Sequence, residues 1–263
     1  TLRNYEFVRN IRKRGEDDFF RTFVFFRNFV ENMKFLFLGD TVGRPGREAL
    51  KEVLPRLKKR KKADLVIVNG ENIAHGKGLT EDSLKELLAS GVDLVTSGDH
   101  IFDNKEIVAL LEEAKYPLLR PLNFSYQAPG QGFKLINLGA KSVLVVSLIG
   151  QVFMRRQFES PFRCLDEFLQ DYELGKNVNA ILVDFHAEAT SEKIAMGWHL
   201  DGKVTAVIGT HTHTPTADGR ILPRGTAFQS DVGMTGPYDS ILGMKKEQAL
   251  KRMILQTPHK YEV

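Results

Sequence analysis

Cysteine is nearly absent from this chain. Cys164 stands alone, which excludes an intrachain disulfide and any thiolate-rich zinc site. That usage fits a reducing compartment, so the expected location is the cytoplasm. Long apolar runs are absent too. No stretch approaches the ~20 residues that cross a bilayer, so no membrane span is expected. The first residues are broken by charges throughout and carry no secretory pattern. Nor is there a strong excess of one charge. Lys plus Arg number 37 and Asp plus Glu 33, leaving a net of +4. This suits an anionic substrate such as a phosphate ester, but it is too small to signal nucleic-acid binding. Much of the excess sits in Lys58-Lys59-Arg60-Lys61-Lys62, which reads as the solvated end of a helix.

What is present is alternation. Short Val/Ile/Leu/Phe-rich runs predict strands at Lys34–Gly39, Leu65–Asn69, Val92–Thr96, Phe133–Asn137, Ser142–Leu148, Ala180–Asp184 and Val204–Ile208. Between and after them, helices are predicted at Gly46–Arg60, Thr80–Ala89, Asn104–Glu113, Pro161–Tyr172, Ser191–Trp198 and Lys245–Leu255. Thr80 caps its helix well, with Ser83 and the acids Glu81 and Asp82 in the first turn. The pattern predicts an α/β fold with helices layered on sheets. Residues 1–32 read differently. They hold seven of the 18 Phe residues amid many charges. Phe19, Phe20, Phe23, Phe26 and Val30 approximate a helical stripe, so this segment is expected to be a helical, Phe-rich appendage. It would dock on the domain, a partner or a membrane surface. Met33 opens the first convincing strand, and residues 33–263 are expected to form the functional domain.

Five of the apolar runs end in groups that bind metals or move protons. The first delivers Asp40, the second Glu71 and Asn72, the third Asp99 and His100, the sixth His186, and the last His211 and His213. In open α/β sheets ligands bind beyond the carboxyl ends of the strands, so parallel neighbours would bring these clusters to one rim. The two-residue spacing of His211 and His213 places both imidazoles on one side of an extended segment. Gly39, Gly70, Gly98 and Gly209 precede the clusters and permit sharp turns and close backbone approach. Six or seven oxygen and imidazole donors exceed the needs of one tetrahedral zinc and suffice for two divalent ions. Donors of this kind, without thiolate, suit iron, manganese or zinc. A metal pair ~3.5–4 Å apart suits phosphoester hydrolysis. His75, His199 and His259 read as structural or surface residues, and Ser97 has no partner histidine for a serine hydrolase.

The strings FLFLGDTVGRPGR, VNGENIAHGKGLT, VTSGDHIFDN, VDFHAEATSEK, GTHTHTPTADGRILPRGTAFQSDVGMTGPYDS and ILQTPHKYEV resemble the YmdB-type bacterial branch of the calcineurin-like metallophosphoesterases. The likeness runs from Met33 to the end. It implies a four-layer αββα sandwich and a dinuclear-metal phosphodiesterase. In that chemistry a metal-bound hydroxide attacks the phosphorus of a 2′,3′-cyclic nucleotide. Carried over by motif, Asp40 and His213 would hold the first metal, with Asn72 beside it or beside the substrate. Glu71 would bridge, and Asp99, His186 and His211 would hold the second. His100 would sit next to the substrate as a catalytic residue, donating a proton to the leaving oxygen or stabilising the phosphate. The cofactors implied are two divalent ions, iron or manganese, with zinc as an alternative. Where the family motif reads Gly-Asn-His, this chain has Gly98-Asp99-His100, which keeps an oxygen donor and adds a negative charge. Three alternatives stay open: a phosphodiesterase acting on RNA or cyclic dinucleotides through Lys58–Lys62 and the Arg44–Arg47 region, a regulatory protein whose metals hold a partner-binding surface, and assembly as a homo-oligomer.

Overall fold

The computed structural model describes residues 5–9, 23–28, 32–258 and 262–263, the first two segments as backbone. In chain order the elements are β1 (Tyr5–Arg9), β2 (Phe23–Asn28), β3 (Met33–Leu38), β4 (Asp40–Thr41), α1 (Gly43–Lys61), β5 (Leu65–Asn69), α2 (Glu81–Ala89), β6 (Leu94–Thr96) and α3 (Glu106–Glu112). There follow β7 (Phe133–Leu138), β8 (Lys141–Ile149), α4 (Pro161–Phe168), β9 (Ala180–His186), α5 (Thr190–His199), β10 (Ala206–Thr210), β11 (Arg220–Ile221), β12 (Ala227–Gln229), β13 (Met234–Thr235) and α6 (Lys246–Leu255). From Met33 onward every predicted strand and helix is present, with ends shifted by a few residues.

One sheet runs β1-β2-β3-β5-β6, and a second runs β11-β12-β10-β9-β8-β7. β3, β5 and β6 are mutually parallel, as are β8, β9, β10 and β12. The antiparallel strands lie at the margins. The fold is therefore mixed α/β, as the alternation predicts. Side-chain alternation along each strand sorts the core into three clusters. Leu36, Leu38, Val66 and Val68 pack with Leu50 and Leu54 of α1, Leu84 and Leu87 of α2, and Ile107 of α3. From the opposite side of the same strands, Phe35, Phe37, Leu65 and Ile67 meet Val143, Val145, Leu182 and Ile208 of the second sheet. The far side of that second sheet, with Val146, Val183, Phe185 and Val207, packs with Leu165 of α4 and Met196 of α5. Each fully buried Leu, Ile or Phe contributes roughly 1.5–3 kcal/mol.

Local signals explain the helices that frame the site. Thr80 and Ser83 form a reciprocal capping box at the start of α2. α1 buries Gly46, Ala49, Leu50, Leu54 and Leu57 on one stripe and ends in Lys58, Lys59, Arg60 and Lys61, so the basic run closes a helix. Lys62 caps it in the left-handed region, with φ of 52°. Arg47, considered above as an RNA contact, is engaged by Glu86 and by the carbonyl of Ile73.

The expected N-terminal helix needs correction where it is described. Phe23–Asn28 is a strand, paired antiparallel with β3 from Phe23↔Leu38 to Asn28↔Met33. Phe23, Val24, Phe25 and Phe26 are consecutive β-favouring residues, and the edge of β3 offers an extended segment a ladder of backbone partners. Phe19, Phe20 and Val30 lie outside the described residues, as does His259. Among the described residues no helix is long and apolar enough to cross a membrane.

Candidate metal centre

The parallel strands deliver their carboxyl ends to one place. Ligand atoms of Glu71, Asp99, His186 and His211 all lie within 4.8 Å of one another. Glu71 follows β5, Asp99 follows β6, His186 ends β9 and His211 follows β10. Two sheets thus contribute to one cluster. His186 Nε2 is 3.1 Å from Glu71 Oε1 and 3.7 Å from Asp99 Oδ1. His211 Nδ1 lies 2.9 Å from His186 Nε2. Asp40 borders the group. Its Oδ1 is 3.6 Å from His186 Nδ1, and its Oδ2 accepts the backbone N–H of His211 at 3.0 Å. Asn72 and His213 meet as a pair, with His213 Nε2 3.2 Å from Asn72 Oδ1. His100 touches the cluster through its backbone and a neighbouring acid through its ring. Its backbone N–H approaches Glu71 Oε2 at 3.4 Å, and its ring Nδ1 is 2.7 Å from Asp103 Oδ2.

Three observations fit this cluster to divalent cations. Asp40 Oδ1 and Asp99 Oδ1 are buried without a hydrogen-bond donor. Such orphaned carboxylate oxygens are costly unless a cation meets them. His213 Nδ1 lies 3.0 Å from the carbonyl of Leu242, so its proton belongs there. The Nε2 lone pair then faces the Asn72 oxygen, two acceptors aimed at one place. Finally, the buried acids of the cluster favour a positive charge among them. Burial opposes a proton on His186, yet Glu71 and then Asp99 hold its pKa well above the imidazole range. Burial and the charge of His186 push His211 down to about 3. Burial works to raise Asp99, but His186 and the other imidazoles keep it well below the usual carboxylate range. A cation held by these groups would supply the positive charge that the His186 proton otherwise brings.

Close approach explains Gly98. A Cβ there would run into the Glu71 carboxylate and the His186 ring, so only glycine lets the chain after β6 pass both. The backbone at the histidine pair differs from the extended segment expected. His211 has φ of 103° and His213 φ of 61°, beyond the end of β10. Positive φ at both residues turns the chain, so their rings serve different neighbours: His211 the four-residue cluster and His213 Asn72.

Several residues of the site escape a reading of strand ends. Asp184 lies inside the apolar run of β9. Its carboxylate accepts Asn69 Nδ2 at 3.0 Å and Thr96 Oγ1 at 2.5 Å from the first sheet, and Thr210 Oγ1 at 2.8 Å from the second. Thr210 Oγ1 in turn contacts His186 Nδ1 at 2.9 Å. Burial raises Asp184 to about 6. Asp103 orients His100. Asp231 accepts Thr212 N and Oγ1 at 3.1 and 2.8 Å and pairs with Lys193 at 2.7 Å. Asp231 lies near Thr212 only after the chain has folded, so no local spacing signals it. Ser97 donates to the carbonyl of Leu119, His199 pairs with Asp166, and His75 is exposed, so none of these joins the site.

Carboxylates and imidazoles gathered at the strand ends of a mixed α/β fold mark the class of metal-dependent phosphoesterases. Comparison with known proteins narrows this. Residues 36–263 match the family model described as YmdB-like protein. The chain is 48% identical over 231 residues to the 2′,3′-cyclic-nucleotide 2′-phosphodiesterase of Bacillus subtilis (strain 168), covering 88% of this chain and 86% of that protein. Among solved structures, a hypothetical protein from Thermus thermophilus superposes with a TM-score of 0.82 at 45% identity, over 88% of both chains. A novel phosphatase from Mycoplasma pneumoniae gives a TM-score of 0.81 at 38% identity, over 88% of this chain and 83% of that one. The chain belongs to the YmdB-like family.

Proposed function

We propose that this protein is a cytoplasmic, dinuclear-metal phosphodiesterase that opens 2′,3′-cyclic nucleotides. The observation that carries the reading is the meeting of four ligand atoms from four strand ends within 4.8 Å, beside buried carboxylate oxygens that lack donors. The name of the Bacillus relative supplies the substrate. Residues 33–263 are the catalytic unit, and the three core clusters support an αββα order of layers.

The residues divide the work among them. Asp40 and His213 would hold one cation with Asn72 at its side, Glu71 would be shared between the two, and Asp99, His186 and His211 would hold the other. The donor set favours iron or manganese, with zinc the third choice. When bound, two such ions acidify a water and stabilise charge on the phosphoryl oxygens. His100 supplies the proton. Its Nδ1 is tied to Asp103, which leaves Nε2 to protonate the departing ester oxygen. Cleavage of the 2′ bond yields a 3′-nucleotide.

The test is turnover of 2′,3′-cyclic AMP and of bis-p-nitrophenyl phosphate by protein loaded with manganese or iron. H100A should keep its metal content by elemental analysis and lose about 100-fold or more in kcat, the usual contribution of a positioned acid. Absence of metal-dependent turnover of both substrates sinks the reading. Hydrolysis of RNA with neither small ester cleaved replaces the substrate class.

A further inference from the structure

The string that follows His186, Ala187-Glu188-Ala189-Thr190-Ser191-Glu192-Lys193, grips the site from outside the cluster. The two ring nitrogens of His211 face opposite ways. Nδ1 faces inward, 2.9 Å from His186 Nε2 and 3.9 Å from Asp99 Oδ1. Nε2 points outward, 3.1 Å from Glu188 Oε2. An imidazole that offers Nδ1 to a cation must carry its proton on Nε2, and here that proton meets a carboxylate. Carboxylates in this position fix the tautomer, lock the ring plane and raise the basicity of the ligating nitrogen.

The same string also holds the backbone of the turn. Lys193, 2% exposed, pairs with Asp231, 1% exposed, at 2.7 Å. Asp231 accepts both the N–H and the hydroxyl of Thr212, the residue between the two histidines. Glu192 accepts the N–H groups of Gln151 and Val152 on the neighbouring loop. His211 has φ of 103°, a conformation that a non-glycine residue leaves unless its surroundings hold it. The ring is held by Glu188 and the chain by Asp231.

We propose that Glu188 is a positioning residue for His211, fixing its tautomer and ring plane so that Nδ1 serves a divalent cation. This rests on the cation-holding reading of the cluster. Glu188 itself lies outside the ligand set, and its half-exposed side chain makes it safe to alter without unfolding the core.

The experiment is calorimetric titration of Mn²⁺ alone into the full chain, wild type against E188A and E188Q. Circular dichroism and the urea midpoint are recorded for each to show that the variants fold. E188A should bind Mn²⁺ about 10–100-fold more weakly at the His211 site. E188Q should fall between, because its amide oxygen still accepts the Nε2 proton but carries no charge. Folded E188A that binds Mn²⁺ within twofold of wild type overturns the proposal while the metal centre stands. A wild-type chain that binds neither Mn²⁺, Fe²⁺ nor Zn²⁺ overturns the metal centre, and this proposal with it.

Discussion

Asp99 brings a full negative charge to a place where a neutral amide oxygen would serve as a ligand. Its buried Oδ1 has no donor, and it stands 3.7 Å from His186. The charge tightens the hold on a cation and repels an anionic phosphate. D99N should therefore lower Mn²⁺ affinity by about tenfold or more, ~1.4 kcal/mol, and lower KM for a cyclic nucleotide once saturated with metal. Titration and steady-state kinetics on the same preparations separate the two effects. Asp40, Glu71, Asp99, His186 and His211 are legible in the sequence because each stands at the end of an apolar run, where α/β chemistry collects. Asp184 is not, although the predicted strand ends on it: β9 continues to His186, and the donors that give Asp184 its place come from three other strands. Asp103, Glu188 and Asp231 are hidden for another reason: their partners are set by tertiary contact. The spacing of His211 and His213 points to a pair on one face, but two positive φ values send the rings to different neighbours.

At the scale of elements, α2 shows how a cap and an ion pair fasten a helix beside the site. Glu81, in its first turn, accepts from Lys115 at 2.8 Å and from Tyr116 at 2.6 Å, and pairs with Lys85. Hydrogen bonds from Lys115, Tyr116 and Lys85 pull its carboxyl down to about 2. A carboxyl with a depressed folded-state pKa adds stability above its unfolded value of ~4.3. That stability fades as pH falls from there through about 2. Urea midpoints of wild type and E81Q should differ at pH 7 and converge as the pH drops toward the folded-state value of about 2. A constant difference across that range would rule the linkage out. The cap of α2 is readable from Thr80 and Ser83, and the long strands from their apolar runs. The two-residue strands β4, β11 and β13 are not, since two residues carry no period. β2 reads as helix in the sequence because its phenylalanines fall at spacings that suit both forms, and only the edge of β3 decides between them.

At the scale of the whole molecule, the two sheets contribute to the site together, and a cation bound there stabilises only the folded chain. Exhaustive chelation should lower the thermal midpoint of metal-loaded protein, and readdition of Mn²⁺ should restore it. At a free concentration of about 100 Kd the expected gain is ~2.7 kcal/mol per site. An unchanged midpoint would separate metal binding from folding. Asp184 adds a consequence for how the molecule comes apart. Its carboxylate is one acceptor shared by β5, β6 and β10, so the sheets cannot part at the site end without stripping from a buried acid the two donors that come from the first sheet, Asn69 and Thr96. Opening between the sheets is then expected to belong to global unfolding rather than to a local fluctuation. In hydrogen exchange, the amides at the ends of β5, β9 and β10 should sit in the slowest-exchanging unit, at the free energy of complete unfolding. The reacting end of this protein would be its last part to breathe, a stiff frame that keeps the ligands at fixed spacing while the periphery moves.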